Sequence, residues 1–185
     1  MIDGNAQQGA AGAGQGGDAV DAIVAQWARE RPELDTAPMA IFGRVFRIAR
    51  AAGDAATAAY ARHGITRGDF DVLASLRRAG EPFALSPTQL TAALMLTSGG
   101  VTGRVDRLEA AGLVRRSPDP EDRRSLVVNL TPEGRRLVDG AVTAGLEAQH
   151  ALVAALPPER RALLSDLLRE LLVSTEAGRG REPER

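Results

Sequence analysis

The sequence predicts a mainly α chain with a small β-wing, a winged helix-turn-helix domain plus a helical dimerisation region. Three observations predict it. Apolar residues recur at helical spacing along most of the chain. The period turns strand-like in two short runs, Leu113–Arg116 and Leu126–Leu130. Just before the first of these lie two short helical patterns separated by a turn.

Met1 to Gly17 is rich in Gly, Ala and Gln and has little to bury, so residues 1–17 are expected to be a disordered tail. Asp18 can cap a helix running to about Glu30, with Val20, Ile23, Val24 and Trp27 as its apolar face. Arg31-Pro32-Glu33-Leu34-Asp35 reads as a linker. A long helix follows from about Pro38 to His63, where Ile41, Val45, Ile48 and Ala52 keep helical spacing and Gly64 ends the run. Thr66 and Asp69 form a capping box for a helix from Arg67 to Ala79, which buries Phe70, Leu73 and Leu76. Ala84-Leu85 can add a minimal third strand beside a hairpin.

Ser86 caps the next helix, Pro87 suits its first position, and Gln89 can reach back to close the box. The helix runs to about Leu94, and Met95 to Gly99 reads as the turn. A second helix spans about Ser98 to Ala111, with Gly112 placed to end it in a left-handed conformation. Val101, Val105 and Leu108 make one buried stripe. The other faces carry Ser98, Gly100, Thr102, Arg104 and Arg107, which suit a helix laid in a DNA major groove. The polar loop Ser117–Ser125 joins the two strands and is too long for a tight turn, so its tip should be mobile. Residues 85–131 thus read as helix, turn, helix and wing.

Thr131 and Pro132 start a helix towards Ala154, with interruptions expected at Gly140 and Gly145. Pro157 and Pro158 open a last helix to about Thr175. Leu163, Leu164, Leu167, Leu168, Leu171 and Leu172 line more than one side of it, so it needs cover from its own core and from another subunit. Residues 18–175 form the expected domain, with 18–63 and 132–175 as the helices that flank the reading head, and 176–185 a flexible tail.

Composition excludes several classes of function. With 185 residues there is length for one domain with a real core. The formal net charge of −1 gives no global sign of nucleic-acid affinity. From Ser98 to Arg136, eight arginines face six acids, a modest local excess whose effect depends on placement and which a dimer would double. There is no cysteine, hence no disulfide and no thiol switch. His63 and His150 are far apart, so no metal site is expected. No nucleophile–base pair appears, and Ser98-Gly99-Gly100 lacks the lysine of a phosphate loop, because all 23 basic residues are arginine. The chain is therefore read as no enzyme and as needing no cofactor. No apolar run approaches the ~18 residues of a membrane span, and the N-terminus has no signal-peptide pattern, so a cytoplasmic location is expected.

One long pattern resembles a known family. Leu94-Met95-Leu96-Thr97-Ser98-Gly99-Gly100-Val101-Thr102-Gly103-Arg104-Val105-Asp106-Arg107-Leu108-Glu109 is followed by Gly112-Leu113-Val114. Asp119-Pro120-Glu121-Asp122-Arg123-Arg124 and Leu130-Thr131-Pro132-Glu133-Gly134 complete it. This resembles the MarR family of bacterial transcription regulators. The resemblance implies a homodimer, paired through its first and last helices, with two recognition helices entering successive major grooves of a pseudo-palindromic operator in double-stranded DNA. It implies DNA contacts from Ser98, Gly100, Thr102 and Arg107. It also implies a minor-groove contact from wing residue Arg124, beside Arg123, with Asp122 bracing Arg124 by an ion pair. Read as residues alone, the wing arginines also fit a solvated surface. Gly103 stands where relatives often carry a larger polar residue.

Within that family the chain is similar to a urate-responsive branch with an extra N-terminal helix. The residues are Trp27 on that helix, Gly68-Asp69-Phe70-Asp71-Val72-Leu73, and Arg104 and Arg116. The resemblance implies Trp27, Asp71, Arg104 and Arg116 as ligand residues for urate or a related small anion. Urate is a flat monoanion; Trp offers an aromatic face and arginine a planar fork of donors. If Asp71 pairs with Arg116 in the free protein, the ligand would compete for that arginine. Plainer roles fit each residue: core for Trp27, surface carboxylate for Asp71, phosphate contact for Arg104, wing contact for Arg116. The expected function is a repressor released from its operator by such an anion. A regulator answering phenolic compounds or another organic acid is the near alternative, and a helical interaction module without DNA binding the distant one.

Overall fold

A computed structural model of the chain describes residues 17–95, 97–120, 122 and 125–179. The chain divides into two units, residues 1–51 and 52–185.

The first unit holds α1 (Ala19–Glu30) and the start of α2 (Ala37–Ala61). Asp18 and Asp21 close a reciprocal capping box at the head of α1. Their remaining carboxylate oxygens hold one arginine of α2: Arg44 Nε donates to Asp18 at 2.8 Å and its Nη2 to Asp21 at 2.6 Å. Gly43 faces Val20, where a Cβ would stand only 2.8 Å from Val20 Cγ1. This close approach buries Val20, the one buried residue of α1. Ile23, Trp27, Ile41, Phe42, Phe46 and Ile48 stay exposed.

The second unit contains the end of α2, then α3 (Arg67–Arg78), β1 (Ala84–Leu85), α4 (Pro87–Leu94), α5 (Ser98–Ala110), β2 (Val114–Pro118), β3 (Leu126–Leu130), α6 (Pro132–Val153) and α7 (Pro158–Arg179). The three strands form an antiparallel sheet in the order β1–β3–β2, with Ala84 opposite Asn129 and Arg116 opposite Val128. The core joins Ala59 and Tyr60 of α2, Val72, Leu73 and Leu76 of α3, Leu90 of α4, the inner stripe of α5, Val128 and Val138. Tyr60 stacks on Phe70 with ring centroids 3.9 Å apart.

Four features differ from the sequence reading. Gly140 and Gly145 do not interrupt α6. They admit the rings of Tyr60 in α2 and of His63 just beyond it, since Cβ atoms would stand 3.1 Å from His63 Cε1 and 3.0 Å from the Tyr60 hydroxyl. Glycine costs about 1 kcal/mol in a helix interior, and close packing can offset that. β2 runs on to Pro118, which pairs with Leu126. A proline is tolerated there because β2 is an edge strand and needs no second ladder. α2 stops at Ala61, before His63. α7 continues past Thr175 to Arg179, with no proline to stop it, and none of its residues of described burial is buried.

Candidate nucleic-acid interface

The reading head is built from caps. Ser86 and Gln89 close the box at the start of α4, with Pro87 at its first position. Met95 ends α4 in the left-handed region, at φ 51, and is 92% exposed. Thr97 then caps α5, accepting from Gly100 N at 3.3 Å. The sequence reading placed this position inside the turn and missed the cap, although a threonine just before a helix start is its usual signal. Val101, Val105 and Leu108 are each 2% exposed and fasten α5 to the core.

Ser98, Gly100, Thr102 and Arg107 all lie on exposed parts of α5. The Thr102 hydroxyl donates to Ser98 O at 3.0 Å, which leaves its oxygen free to accept. Nothing lies within 4 Å of where a Cβ would stand on Gly99 or Gly103. Arg107 Nη2 donates to Asp69 Oδ1 at 3.0 Å, on the first turn of α3. Burial pushes the Asp69 carboxyl up, but hydrogen bonds from Thr66 and then from Arg107 outweigh it and hold Asp69 below the ordinary range. In the wing, Asp122 accepts from the Ser125 hydroxyl and from Ser125 N, both at 2.8 Å. Arg123 and Arg124, with the expected Asp122–Arg124 ion pair, lie outside the described residues.

The four residues assigned to a ligand are placed as follows. Trp27 belongs to the first unit and is 42% exposed. Arg104 is half-buried and donates from Nη1 to Gly68 O at 3.2 Å. Asp71 is half-buried, and its charge raises the Tyr60 phenol further after burial has already done so. For Arg116 the structure decides the condition on which the sequence reading left the pair with Asp71. Arg116 is not paired with Asp71. Its Nη2 donates to Asp106 at 2.5 Å, its Nη1 to Glu109, and its backbone N to Glu109 Oε1 at 2.7 Å. The cause is local. Asp106 and Glu109 stand one turn apart on the face of α5 that meets β2, so two carboxylates reach Arg116 together. The bonds from Arg116 N and then from its side chain hold Glu109 below its ordinary range. No hydrogen bond or ion pair joins any two of Asp71, Arg104 and Arg116.

The structure adds a cavity that the sequence did not reveal. About 160 Å³ lies between α4, α5 and the sheet, lined by Pro87, Val101, Thr102, Val105, Arg116 and Val128. Its walls are apolar apart from one hydroxyl and one guanidinium. Among the described residues no cluster of His, Asp or Glu suits a metal ion, and no helix is long and apolar enough to cross a membrane.

The model of the MarR family matches residues 63–125, which hold α3 to the wing. The transcriptional regulator PecS of Dickeya dadantii is 38% identical over 149 residues, covering 80% of this chain and 90% of PecS. The chain belongs to the MarR family. The solved structures agree. A cysteine-to-serine variant of Escherichia coli MarR, in complex with operator DNA, superposes with a TM-score of 0.61 at 26% identity, over 79% of this chain and 97% of that one. CouR of Rhodococcus jostii bound to p-coumaroyl-CoA gives a TM-score of 0.61 at 27% identity, over 71% and 90%. The chain is therefore a transcriptional regulator of the MarR type, and its relatives are regulators, not enzymes.

Proposed function

We propose that this MarR protein is a homodimeric cytoplasmic repressor, released from a pseudo-palindromic operator by urate or a related small anion. One observation carries the DNA part. α5 presents an outer face of Ser98, Gly100, Thr102 and Arg107 between a capped turn and a wing, with every large apolar residue turned inward. That face can approach base edges closely and adds a forked donor for guanine or phosphate. The similar MarR variant solved in complex with operator DNA supports operator DNA as the partner. The dimer is supported by α7, where Leu163, Leu167, Leu168, Leu172 and Val173 are exposed on one chain.

The ligand part rests on PecS as a relative, on the resemblance to the urate-responsive branch, and on two arginines. Arg104 and Arg116 both bind structural partners of α5's neighbourhood through exchangeable hydrogen bonds. An anion taking Arg116 from Asp106 and Glu109 would loosen the wing from the recognition helix. Linkage then requires that the ligand bind this loosened state more tightly than the DNA-bound one. A specific observation favours a second reading. The 160 Å³ cavity offers one guanidinium and apolar walls, which suits a flat phenolic or other organic acid. Footprinting of the DNA upstream of the gene tests the operator. Two protected half-sites about one helical turn apart are expected. A single protected half-site, or none, would refute the dimeric repressor.

A further inference from the structure

Both arginines of α5 end on the first turn of α3. Arg104 reaches Gly68 O, and a Cβ on residue 68 would stand 2.7 Å from Arg104 Cζ, so glycine leaves the guanidinium its space. Arg107 reaches Asp69. Asp69 is 8% exposed and fixed from its other side. Its Oδ2 accepts from the Thr66 hydroxyl at 2.6 Å and from Thr66 N at 3.2 Å. Arg107 is the opposite case, with a side chain 60% exposed. It gives one N–H to Asp69 and one, from Nη1, to Gly103 O at 3.1 Å. A guanidinium has five N–H donors, so most of the fork still faces solvent. A capped, buried anion thus grips an exposed cation by one end.

We propose that Asp69 is a positioning residue that orders Arg107 for contact with the operator. The inference rests on Arg107 being a DNA contact, as in the function proposed above. A free arginine loses rotamer freedom when it binds. Here that loss is taken on folding, and the fork meets DNA already aimed. The bond from Thr66 N, which does not depend on the side chain at 66, stops Asp69 from following the arginine outward. The pair also fixes where α5 stands on α3, since Arg104 is anchored one residue away on the same turn.

The test uses the full chain and a labelled duplex selected from random sequence for tight binding to the wild-type protein. Arg107→Gln should weaken binding about tenfold or more, and Asp69→Asn by about three- to tenfold. In the Arg107→Gln background, Asp69→Asn should change affinity less than about twofold, because the two residues act as one unit. Thr66→Val removes the cap hydroxyl but keeps the arginine's partner. It should lower the melting temperature and leave affinity within about twofold. An Asp69→Asn loss that is equally large without Arg107 overturns the proposal, as does Thr66→Val matching it in affinity. Tighter binding by Asp69→Asn would mean that Asp69 competes with DNA, and also overturns it. If Arg107→Gln changes nothing, the contact itself is wrong and the proposal falls with it. Should Asp69→Asn fail to fold, Asp69→Glu, which keeps the charge and shifts it, takes its place in the same cycle with the same expectations.

Discussion

Gly134 shows why a single residue in a family pattern is needed. A Cβ there would stand 2.0 Å from the carbonyl oxygen of Leu113, a backbone atom that cannot yield. The neighbouring Thr131 caps α6 and donates to Gly112 O at 2.8 Å, tying the end of α5 to the start of α6. Gly134→Ala should therefore destabilise the fold by about 2–3 kcal/mol, near the top of the range for overpacking. Chemical denaturation measures it, and a loss below about 0.5 kcal/mol would show that the helix start can shift. Arg116 gives a second expectation at this scale. Its pairs with Asp106 and Glu109 are partly exposed, with side chains 29%, 58% and 36% accessible, so each contributes little to stability. Arg116→Asn should abolish release by the ligand while operator affinity stays within about tenfold, a bound that follows from ~1 kcal/mol for such pairs. Loss of both would remove the ligand role of Arg116. Its residue type and position were legible in the sequence. Its partners were not, because Asp71, Asp106 and Glu109 are all acids within reach of a plausible fold, and only the placement of β2 on α5 chooses among them.

The elements themselves were largely legible, because each start carries its own chemistry. Thr66 with Asp69 and Ser86 with Gln89 close the boxes that their spacing predicts. Gly64, Gly80 and Gly112 stand at positive φ at the ends of α2, α3 and α5. What escaped depends on partners distant in sequence. Gly140 and Gly145 look like breaks until His63 and Tyr60 are seen to fill the space beside them. The cavity beside Arg116 needs α4, α5 and the sheet assembled before it exists. Gly103 differs from these glycines, since it sits within α5 at ordinary φ with nothing within 4 Å of a Cβ. Gly103→Ala should therefore stabilise the protein by about 0.4–1 kcal/mol, through helix propensity and a less flexible unfolded chain. A melting curve checks this. Destabilisation would mean that α5 is strained at that turn.

The whole molecule is defined by surfaces that one chain leaves uncovered. α7 buries none of its residues of described burial, and Leu164 and Leu168 line an apolar hollow with Val153 and Leu156. A helix of this composition needs cover, and the proposed cover is a second copy. Leu168→Glu should convert the dimer to monomer in sedimentation and weaken operator binding at least tenfold, because two half-sites then bind independently. A variant that stays dimeric would place the interface elsewhere. The proposed two-fold symmetry, the outer face of α5 and the arginines near β2 then meet in one claim: an anion releases the DNA. Fluorescence anisotropy of a labelled duplex from the gene's upstream region, titrated with protein and then with urate, tests that claim most directly. The account predicts tight binding that weakens steeply with salt and is reversed by urate. Tight binding that neither urate nor flat organic acids disturb would contradict it.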